Sequence, residues 1–529
     1  MRLLKKLFTH SGQAVQPVSR DIPEEVRLWV KAWDYAALQS WLQREFGRTN
    51  DIDSLEAIIS AMQEAGWPEV DRDRFEVYGL YIAGRHLEAY ERSRPYIKPG
   101  APYDADFIIL AAWSLYLANT YDAAWQVIEQ WIDHWSDLET RIDFLAVAMM
   151  VSHAAGKQEL ALSFLDKGRR LAPDNPILAL NGYGIYFELG ATHAFEAVQA
   201  EIDAGKYDLI EAAVAISRVV LAQDHYAAGF RILEGRYAMS EASRYINPSL
   251  LDFPRWQGDP LAGRTLLVTC EQGLGDTVMM ARYFPRLAEA GAGEVIVETP
   301  LPALSLLHSN FPQYTFVELR MGHVPERKFD LWVGSMSLPH QCGATAENIP
   351  SKSGYLRPPP ENAAYWVSRL AELADGHRPR IGVAWSGSRT HRDDRRRSIP
   401  AETFFTAIRG VDADFFSLQK EIPADRPANL FDLSEELITL ADTAALIEAL
   451  DLVITVDSSP IHLAGALGKE AWLMLPYRYE WRWGMEGESN RWYDSVRVIR
   501  QRSHGDWAGV LDEVFDRRLP AWRAERGQL

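Results

Sequence analysis

Leu452-Val-Ile-Thr-Val-Asp457-Ser458-Ser459-Pro460-Ile461-His462-Leu-Ala-Gly-Ala-Leu-Gly468-Lys469 is the stretch that decides the fold. An apolar, β-branched run ends at Asp457, Pro460 suits a first helical turn and Gly468 marks a stop, so the segment reads as a buried strand feeding a helix. An acid, two hydroxyls and an imidazole stand at the junction. Open α/β sheets take ligands at the carboxyl ends of their strands, and the amides and positive dipole end of a following helix attract an anion. Taken alone, Ser458 or Ser459 as a cap and His462 as a core residue explain the pattern equally well. The rest of the chain has to choose.

Working outward, strand-then-helix grammar recurs at Thr265–Thr269, Val295–Glu298, Asp330–Val333, Ile381–Trp385, Phe415–Leu418, Leu452–Val456 and Trp472–Leu475. That alternation predicts parallel α/β sheets. Arg357-Pro358-Pro359-Pro360 divides the strands into two sets, each the size of a small doubly wound sheet, and two sheets facing across a cleft is the natural arrangement. Upstream, Asn247-Pro248, Phe253-Pro254-Arg255-Trp256 and Gly258-Asp259-Pro260 prevent a continuing helix and mark a linker over 246–263. The expected domains are 1–245, 264–360 and 361–529.

Residues 1 to about 245 carry helical periodicity without strand runs. Aligning the segments that start at Ala83, Ala118, Ala155, Leu189 and Ala222 gives steps of 35, 37, 34 and 33 residues. In each, a turn separates two amphipathic stretches, and a small residue such as Ala89, Ala124, Ala161 or Ala228 lets the second helix cross closely; Phe195 breaks the pattern. The third copy ends Leu171-Ala172-Pro173-Asp174-Asn175-Pro176, a helix stop and a new start. A period near 34 residues held this long predicts an α-solenoid similar to tetratricopeptide repeats, with degenerate copies. The predicted fold class is therefore α plus α/β.

A chain of 529 residues with 47% hydrophobic content supports two or three domains. Its formal charge of −18 argues against a general nucleic-acid binder, although local basic sites are allowed. Cys270 and Cys342 stand in no metal or redox spacing, which fits a reducing compartment, with the cytoplasm as the expected location. Met1 to Phe8 has basic residues but no sustained apolar core, and no run approaches the roughly 18 residues of a membrane span.

Three turns carry groups suited to chemistry. After the first strand comes Cys270-Glu271-Gln272-Gly273-Leu274-Gly275-Asp276-Thr277, where Gly273 and Gly275 are expected to let the backbone turn out of the strand before a helix begins near Thr277. Asp276 thus sits at a strand's carboxyl edge, as a reactive acid or as a helix N-cap. It lacks the third glycine of the dinucleotide fingerprint, which disfavours a nicotinamide-dependent oxidoreductase. After Ile381–Trp385 come Ser386-Gly387-Ser388 and five arginines within Arg389 to Arg397, hydroxyls and guanidinium groups that suit phosphate oxygens better than a merely solvated loop. After Phe415–Leu418 come Gln419, Lys420 and Glu421, candidates for a base or ribose.

With these residues in hand, 264 to about 515 resembles the heptosyltransferase-type glycosyltransferases, which have the two-Rossmann-domain GT-B fold, and more closely bacterial proteins that join tetratricopeptide repeats to such a domain. The most specific match is Asp457-Ser458-Ser459-Pro460-Ile461-His462 through Gly468-Lys469, where the family binds the diphosphate of a nucleotide sugar. Arg397, three positions before Pro400, stands where the family has a basic residue and by resemblance touches phosphate, although lysine is more usual there. Asp276 maps to the family's proposed catalytic base, and Glu421 loosely to its ribose-binding glutamate.

The resemblance implies an inverting, metal-independent transfer. Asp276 takes the acceptor proton, Ser386, Ser388, Arg397 and the amides at Ser458 and Ser459 stabilise the departing diphosphate, and Asp457 and His462 grip the sugar or orient the turn. No cofactor is implied, since the nucleotide sugar is a substrate. Gln272, Gly273, Gly275, Trp481 and Arg482 are placed on the acceptor side, and Tyr477, Tyr479, Trp481, Trp483 and Trp492 either stack on sugar or base or pack a hinge. The family's domain pairing suggests a protein acceptor, flagellin or another surface protein, recruited by the repeats. A lipid or polysaccharide acceptor and a non-catalytic nucleotide-binding scaffold stand as alternatives.

Overall fold

The computed structural model describes residues 23–42, 52–118, 120–131, 138, 140–189, 192–204, 206, 209–238, 246–350, 352, 354–374, 376–388, 394–477, 480–503 and 505–527. Met1 to Phe8, Arg389 to Asp393 and Tyr479, all singled out above, lie outside the described residues. The chain divides into two compact units, Met1–Gly182 and Tyr183–Leu529, so the helices from Thr192 to Leu233 belong to the second.

The first unit is helical. Its predicted turns fall inside helix pairs: Ala83–Arg85 joins Glu69–Ile82 to His86–Ile97, Ala118–Thr120 joins Ala105–Leu117 to Tyr121–Gln130, and Ala155–Lys157 joins Ile142–Ala154 to Gln158–Leu171. Gly84 and Gly156 take the left-handed turn conformation at φ 73° and 78°. Asp104 caps its helix by accepting from the Asp106 and Phe107 amides. The small residues behave as the spacing predicts, since Ala89, Ala124 and Ala161 are fully buried where second helices cross first ones. In the second unit the close approach moves one residue: a Cβ on Gly229, beside Ala228, would lie 2.6 Å from Leu221. Nothing is described of the Phe195 side chain.

Two all-parallel sheets follow. β1 (Thr265–Thr269), β2 (Glu294–Thr299), β3 (Thr315–Glu318) and β4 (Leu331–Gly334) lie in the order β3-β2-β1-β4. β5 (Arg380–Ala384), β6 (Asp414–Ser417), β7 (Leu430–Phe431), β8 (Leu452–Val456), β9 (Ala471–Leu475) and β10 (Val496–Arg500) lie in the order β10-β9-β8-β5-β6-β7. β8 is buried along its whole length, as a parallel strand covered on both faces must be. This is a helical region followed by a GT-B type pair of Rossmann-like sheets.

Three strands are additions to the expected set, and all sit at or beside a sheet edge. β3 is half exposed, β7 has two residues, and β10 reads Val-Arg-Val-Ile-Arg, its charged residues masking a buried strand.

The order of strands places the site. In each sheet the chain winds away from its first strand in one direction and returns on the other side, making a switch point between β1 and β4 and another between β5 and β8. Crevices open at the carboxyl ends beside such points. β5 and β8 pair from Ile381–Leu452 to Ala384–Thr455, which brings Ser386 and Asp457 to one edge. Among the described residues no helix is long and apolar enough to cross a membrane.

Candidate functional site

On the first lobe, the turn after β1 is built differently from its glycine pattern. Gln272, not a glycine, takes the left-handed conformation at φ 63°, while Gly273 is extended at φ −97°. The helix begins at Leu274, earlier than the expected start near Thr277, so Asp276 is its third residue and not its N-cap. Asp276 Oδ2 accepts from the Gly273 amide at 3.2 Å, fixing the carboxylate over its own turn. A non-glycine residue held at positive φ beside an anchored acid is the kind of local strain found at functional turns.

Gly275 is required for a different reason. A Cβ there would lie 2.6 Å from His462 Cδ2, so the helix Leu274–Met280 lies against the helix Ser459–Leu467 of the other lobe with no room for a methyl group. Arg282 Nη1 donates to the Trp492 carbonyl at 2.7 Å, and Leu356 donates its amide to the Ala466 carbonyl at 3.1 Å. The two lobes therefore meet at the turn that carries Asp276.

On the second lobe, Ser458 occupies the N-cap of the helix Ser459–Leu467, yet its side chain makes no capping bond. Its hydroxyl donates instead to the Val456 carbonyl at 3.3 Å. Capping alone thus does not account for the serine, and the positive end of this helix is not screened by that hydroxyl. Arg397 Nη1 donates to the Asp457 carbonyl at 2.8 Å, and a Cβ on Gly387 would lie 2.4 Å from the Arg397 guanidinium. Arg397 is thereby wedged between the turns after β5 and β8. Asp394 accepts from Ser398 Oγ at 2.9 Å and lies 3.4 Å from Arg397 Nε.

Gln419 is a scaffold for the same edge. Its Oε1 accepts from the amides of Trp385 and Ser386 at 3.1 and 2.9 Å, and its Nε2 donates to Ser386 Oγ at 2.9 Å. The amide that the sequence offers to a base or ribose is committed to the turn. Ser388, Lys420 and Glu421 are exposed beside it.

The residues from 480 to 483 join the lobes. Arg482 pairs through Nη2 with Asp276 Oδ1 and through Nη1 with Glu480 Oε1, and its amide donates to Glu480 Oε2 at 2.8 Å. Trp481, which the sequence groups with the acceptor side, is 4% exposed, and its ring centre lies 4.4 Å from the Arg482 guanidinium carbon. Trp483 Nε1 donates to Asp457 Oδ1 at 3.0 Å. Trp483 and Trp492 are fully buried, so these tryptophans pack the junction, whereas Tyr477 is exposed. Glu480 was not singled out from sequence. Its one signal was a lone acid inside an aromatic run, and the ion pair needs the fold to become visible.

These contacts set the charge states. Burial pushes the Asp276 carboxyl upward, but Arg482 and the Gly273 amide outweigh it and hold the group below the usual aspartate range. Burial raises Glu480, against the pull of Arg482. His462 is lowered to about 4 by burial, which exceeds the opposing effect of Asp457. Its Nδ1 shares a hydrogen bond of 3.0 Å with the Tyr493 hydroxyl, and its Nε2 lies 3.9 Å from Asp457 Oδ1. At neutral pH this is a neutral imidazole packed in the lobe junction.

A pH dependence follows. The unfolded chain protonates His462 near pH 6.5 and the folded chain near 4, so between these values the unfolded state binds the extra proton and stability falls as pH falls. Asp276, lowered in the fold, loses its contribution at still lower pH, with the same sign. Glu480, raised in the fold to about 7, contributes with the opposite sign over the same range, so the His462 share is read as a difference. From about pH 6.5 to 4 the melting temperature of His462→Gln should fall less, or rise more, than that of wild type, and an identical pH profile refutes the assignment.

Of the expected residues, Asp276 and Arg482 thus meet directly, Gly275 meets His462, and Asp457 touches Arg397 and Trp483. Ser386, Gly387 and Gln419 share the adjoining turn. No protein-family model matches the chain. It is 28% identical over 401 residues to Protein FlbA of Caulobacter vibrioides, a match covering 69% of this chain, and it spans 64% of the length of that curated relative. Among solved structures, a family 9 glycosyl transferase from Veillonella parvula aligns at TM-score 0.34 and 12% identity over 49% of this chain and 90% of its own. ADP-heptose lipopolysaccharide heptosyltransferase II of Escherichia coli aligns at 0.34 and 16% over 47% and 97%. An O-GlcNAc transferase of Thermobaculum terrenum aligns at 0.29 and 12% over 94% and 92%. By its own strand orders the chain carries two Rossmann-like parallel sheets, whose lobes meet at the turn that bears Asp276.

Proposed function

We propose that this chain is an inverting glycosyltransferase that moves a sugar from a nucleotide-sugar donor to an acceptor hydroxyl on a protein, with no metal required. One observation carries the reading: the switch points of two parallel sheets face each other, and the acid from one is paired with an arginine beside the anion-suited helix terminus of the other.

In this reading the donor diphosphate lies at Ser458 and Ser459, against Arg397 and the turn Ser386–Ser388. The acceptor oxygen forms a bond to the anomeric carbon, its proton passes to Asp276, and the bond from that carbon to the diphosphate oxygen breaks with its electron pair leaving on the nucleotide. Arg397 and the helix dipole supply the countercharge that a metal would otherwise give. Arg482 links the two halves of the step. While it grips Asp276 the carboxylate is ionised but a weak base, and a diphosphate nearby offers the guanidinium a second anionic partner, loosening that grip and raising the basicity of Asp276.

The protein acceptor, recruited by the helix pairs, rests on the resemblance to repeat-bearing transferases. The test is a thermal-shift panel of nucleoside diphosphates and nucleotide sugars, followed by transfer assays with and without EDTA. At 100 times its dissociation constant the cognate nucleotide should add about 2.7 kcal/mol of stability. A panel in which nothing raises the melting temperature refutes the donor site, and an activity lost to EDTA and restored by a divalent ion refutes metal independence.

A further inference from the structure

The turn that presents Asp276 is held from behind by a residue outside both sheets. Glu271 directly follows Cys270 and lies five residues before Asp276. Its carboxylate accepts from Arg236 Nε at 3.1 Å and Arg236 Nη2 at 2.9 Å, and from the Met336 amide at 2.8 Å. Its own amide donates to Ser335 Oγ at 3.1 Å. The two side chains are each only 1% exposed.

Arg236 is itself fully committed. Nη2 also donates to Ser337 Oγ at 2.7 Å and to the Tyr237 hydroxyl at 2.9 Å, and Nη1 donates to the Leu233 carbonyl at 3.1 Å and to Glu234 Oε1 at 3.0 Å. A Cβ on Gly334 would lie 2.3 Å from Glu271 Oε2 and 2.6 Å from the Tyr237 hydroxyl, so the carboxylate is lodged where only glycine leaves room.

The same helical segment reaches the other lobe. Phe230 meets Trp481 edge to face at 5.7 Å between ring centres, Tyr226 meets Trp492 at 5.5 Å, and Asp224 pairs with Arg491 at 2.8 Å. Trp481 in turn lies against Arg482. The segment from Asp224 to Tyr237 therefore touches the turn bearing Asp276 on one side and the turn bearing Arg482 on the other.

We propose that Arg236 is a positioning residue, which fixes through Glu271 the turn that aims Asp276 at the second lobe; the claim of a catalytic consequence rests on the reading of Asp276 as the base. A buried ion pair is weak support for stability, because a well-packed apolar pair of equal volume serves as well. What a bidentate arginine supplies is direction. Here that direction is given to a short strained turn, through Gln272 at φ 63°, whose next amide binds Asp276. The segment from Asp224 to Tyr237 is then part of the catalytic architecture.

The experiment compares full-length wild type, Arg236→Met, Arg236→Lys and Ser337→Ala by transfer kinetics and by hydrogen exchange. Arg236→Met should lower kcat by about 10²-fold, the cost of a misplaced reacting group, with donor KM held within about two-fold because the second lobe is untouched. Exchange should quicken in the peptide 270–280 and stay unchanged in 452–467. Arg236→Lys should recover part of kcat, and Ser337→Ala, which removes one partner of the guanidinium, should lower it several-fold. If kcat of Arg236→Met stays within two-fold, or if kcat, KM and exchange across the whole second unit deteriorate together, the positioning role is wrong. Should Arg236→Met fail to fold, Ser337→Ala decides alone by the same kcat and exchange criteria. If wild type transfers no sugar from any donor, the transferase reading falls, and the exchange comparison still decides whether Arg236 holds the turn.

Discussion

Asp276→Asn should lower kcat by about 10²- to 10⁴-fold, the usual contribution of a positioned general base, and leave nucleotide affinity nearly unchanged. Asparagine keeps the volume, and its carbonyl oxygen can still accept the Gly273 amide that Asp276 accepts at 3.2 Å, so the turn is preserved. What disappears is the negative charge and the ability to take a proton. Arg482 then retains Glu480 as its carboxylate partner. Because Asp276 and Arg482 are 14% and 12% exposed, breaking their pair lowers stability as well, and the assay belongs well below the melting temperature of the variant. Titration with a nucleoside diphosphate separates the effects, since the residues proposed to hold the diphosphate, Ser458, Ser459 and Arg397, lie on the second lobe. A kcat within ten-fold of wild type would remove Asp276 from the chemistry, and loss of nucleotide binding in parallel would make it a structural residue.

How far the residues disclosed this arrangement depended on range. β1 and β8 match their expected bounds to the residue, because a buried parallel strand is a continuous apolar run read without reference to anything distant. The helix-pair turns at Ala83, Ala118 and Ala155 were equally legible, since period and turn chemistry are local. β10 was hidden because its two arginines imitate a surface segment, while the fold packs Val496 and Val498 into the core on one face and Ile499 on the other. At the site, the acid at 276 and the helix terminus at 458 were visible as strand-end chemistry. Their connection was not: Arg482 is 206 positions from Asp276, and Arg236 is 35 from Glu271, so no window on the sequence contains either pair. The glycines after β1 misled in detail, because the left-handed residue is Gln272 and Gly275 is selected by the His462 ring across the lobe junction. Gln419 illustrates the converse. A polar side chain after a strand suggested ligand binding, and the fold uses both ends of its amide to shape the turn beside Ser386.

Arg397→Met should weaken binding of the cognate nucleoside diphosphate by roughly 10- to 100-fold and barely affect the corresponding nucleoside. Hydrogen bonds to a charged group contribute about 1.5–3 kcal/mol, and each 1.4 kcal/mol is a factor of ten. The geometry supplies the reason for the contrast. Arg397 spends Nη1 on the Asp457 carbonyl and lies flat against Gly387, so its position is fixed before any anion arrives and little ordering entropy is lost on binding. Methionine keeps much of the apolar stem and removes the charge, whereas Arg397→Lys keeps the charge but not the planar fork, and should fall between the two. The nucleoside is the control for collapse of the turn, because that failure weakens both ligands alike. Equal loss for nucleoside and diphosphate would reduce Arg397 to a strut between the turns after β5 and β8. A loss confined to the diphosphate, growing weaker as ionic strength rises, would mark it as the countercharge on which a metal-independent departure of the nucleotide depends.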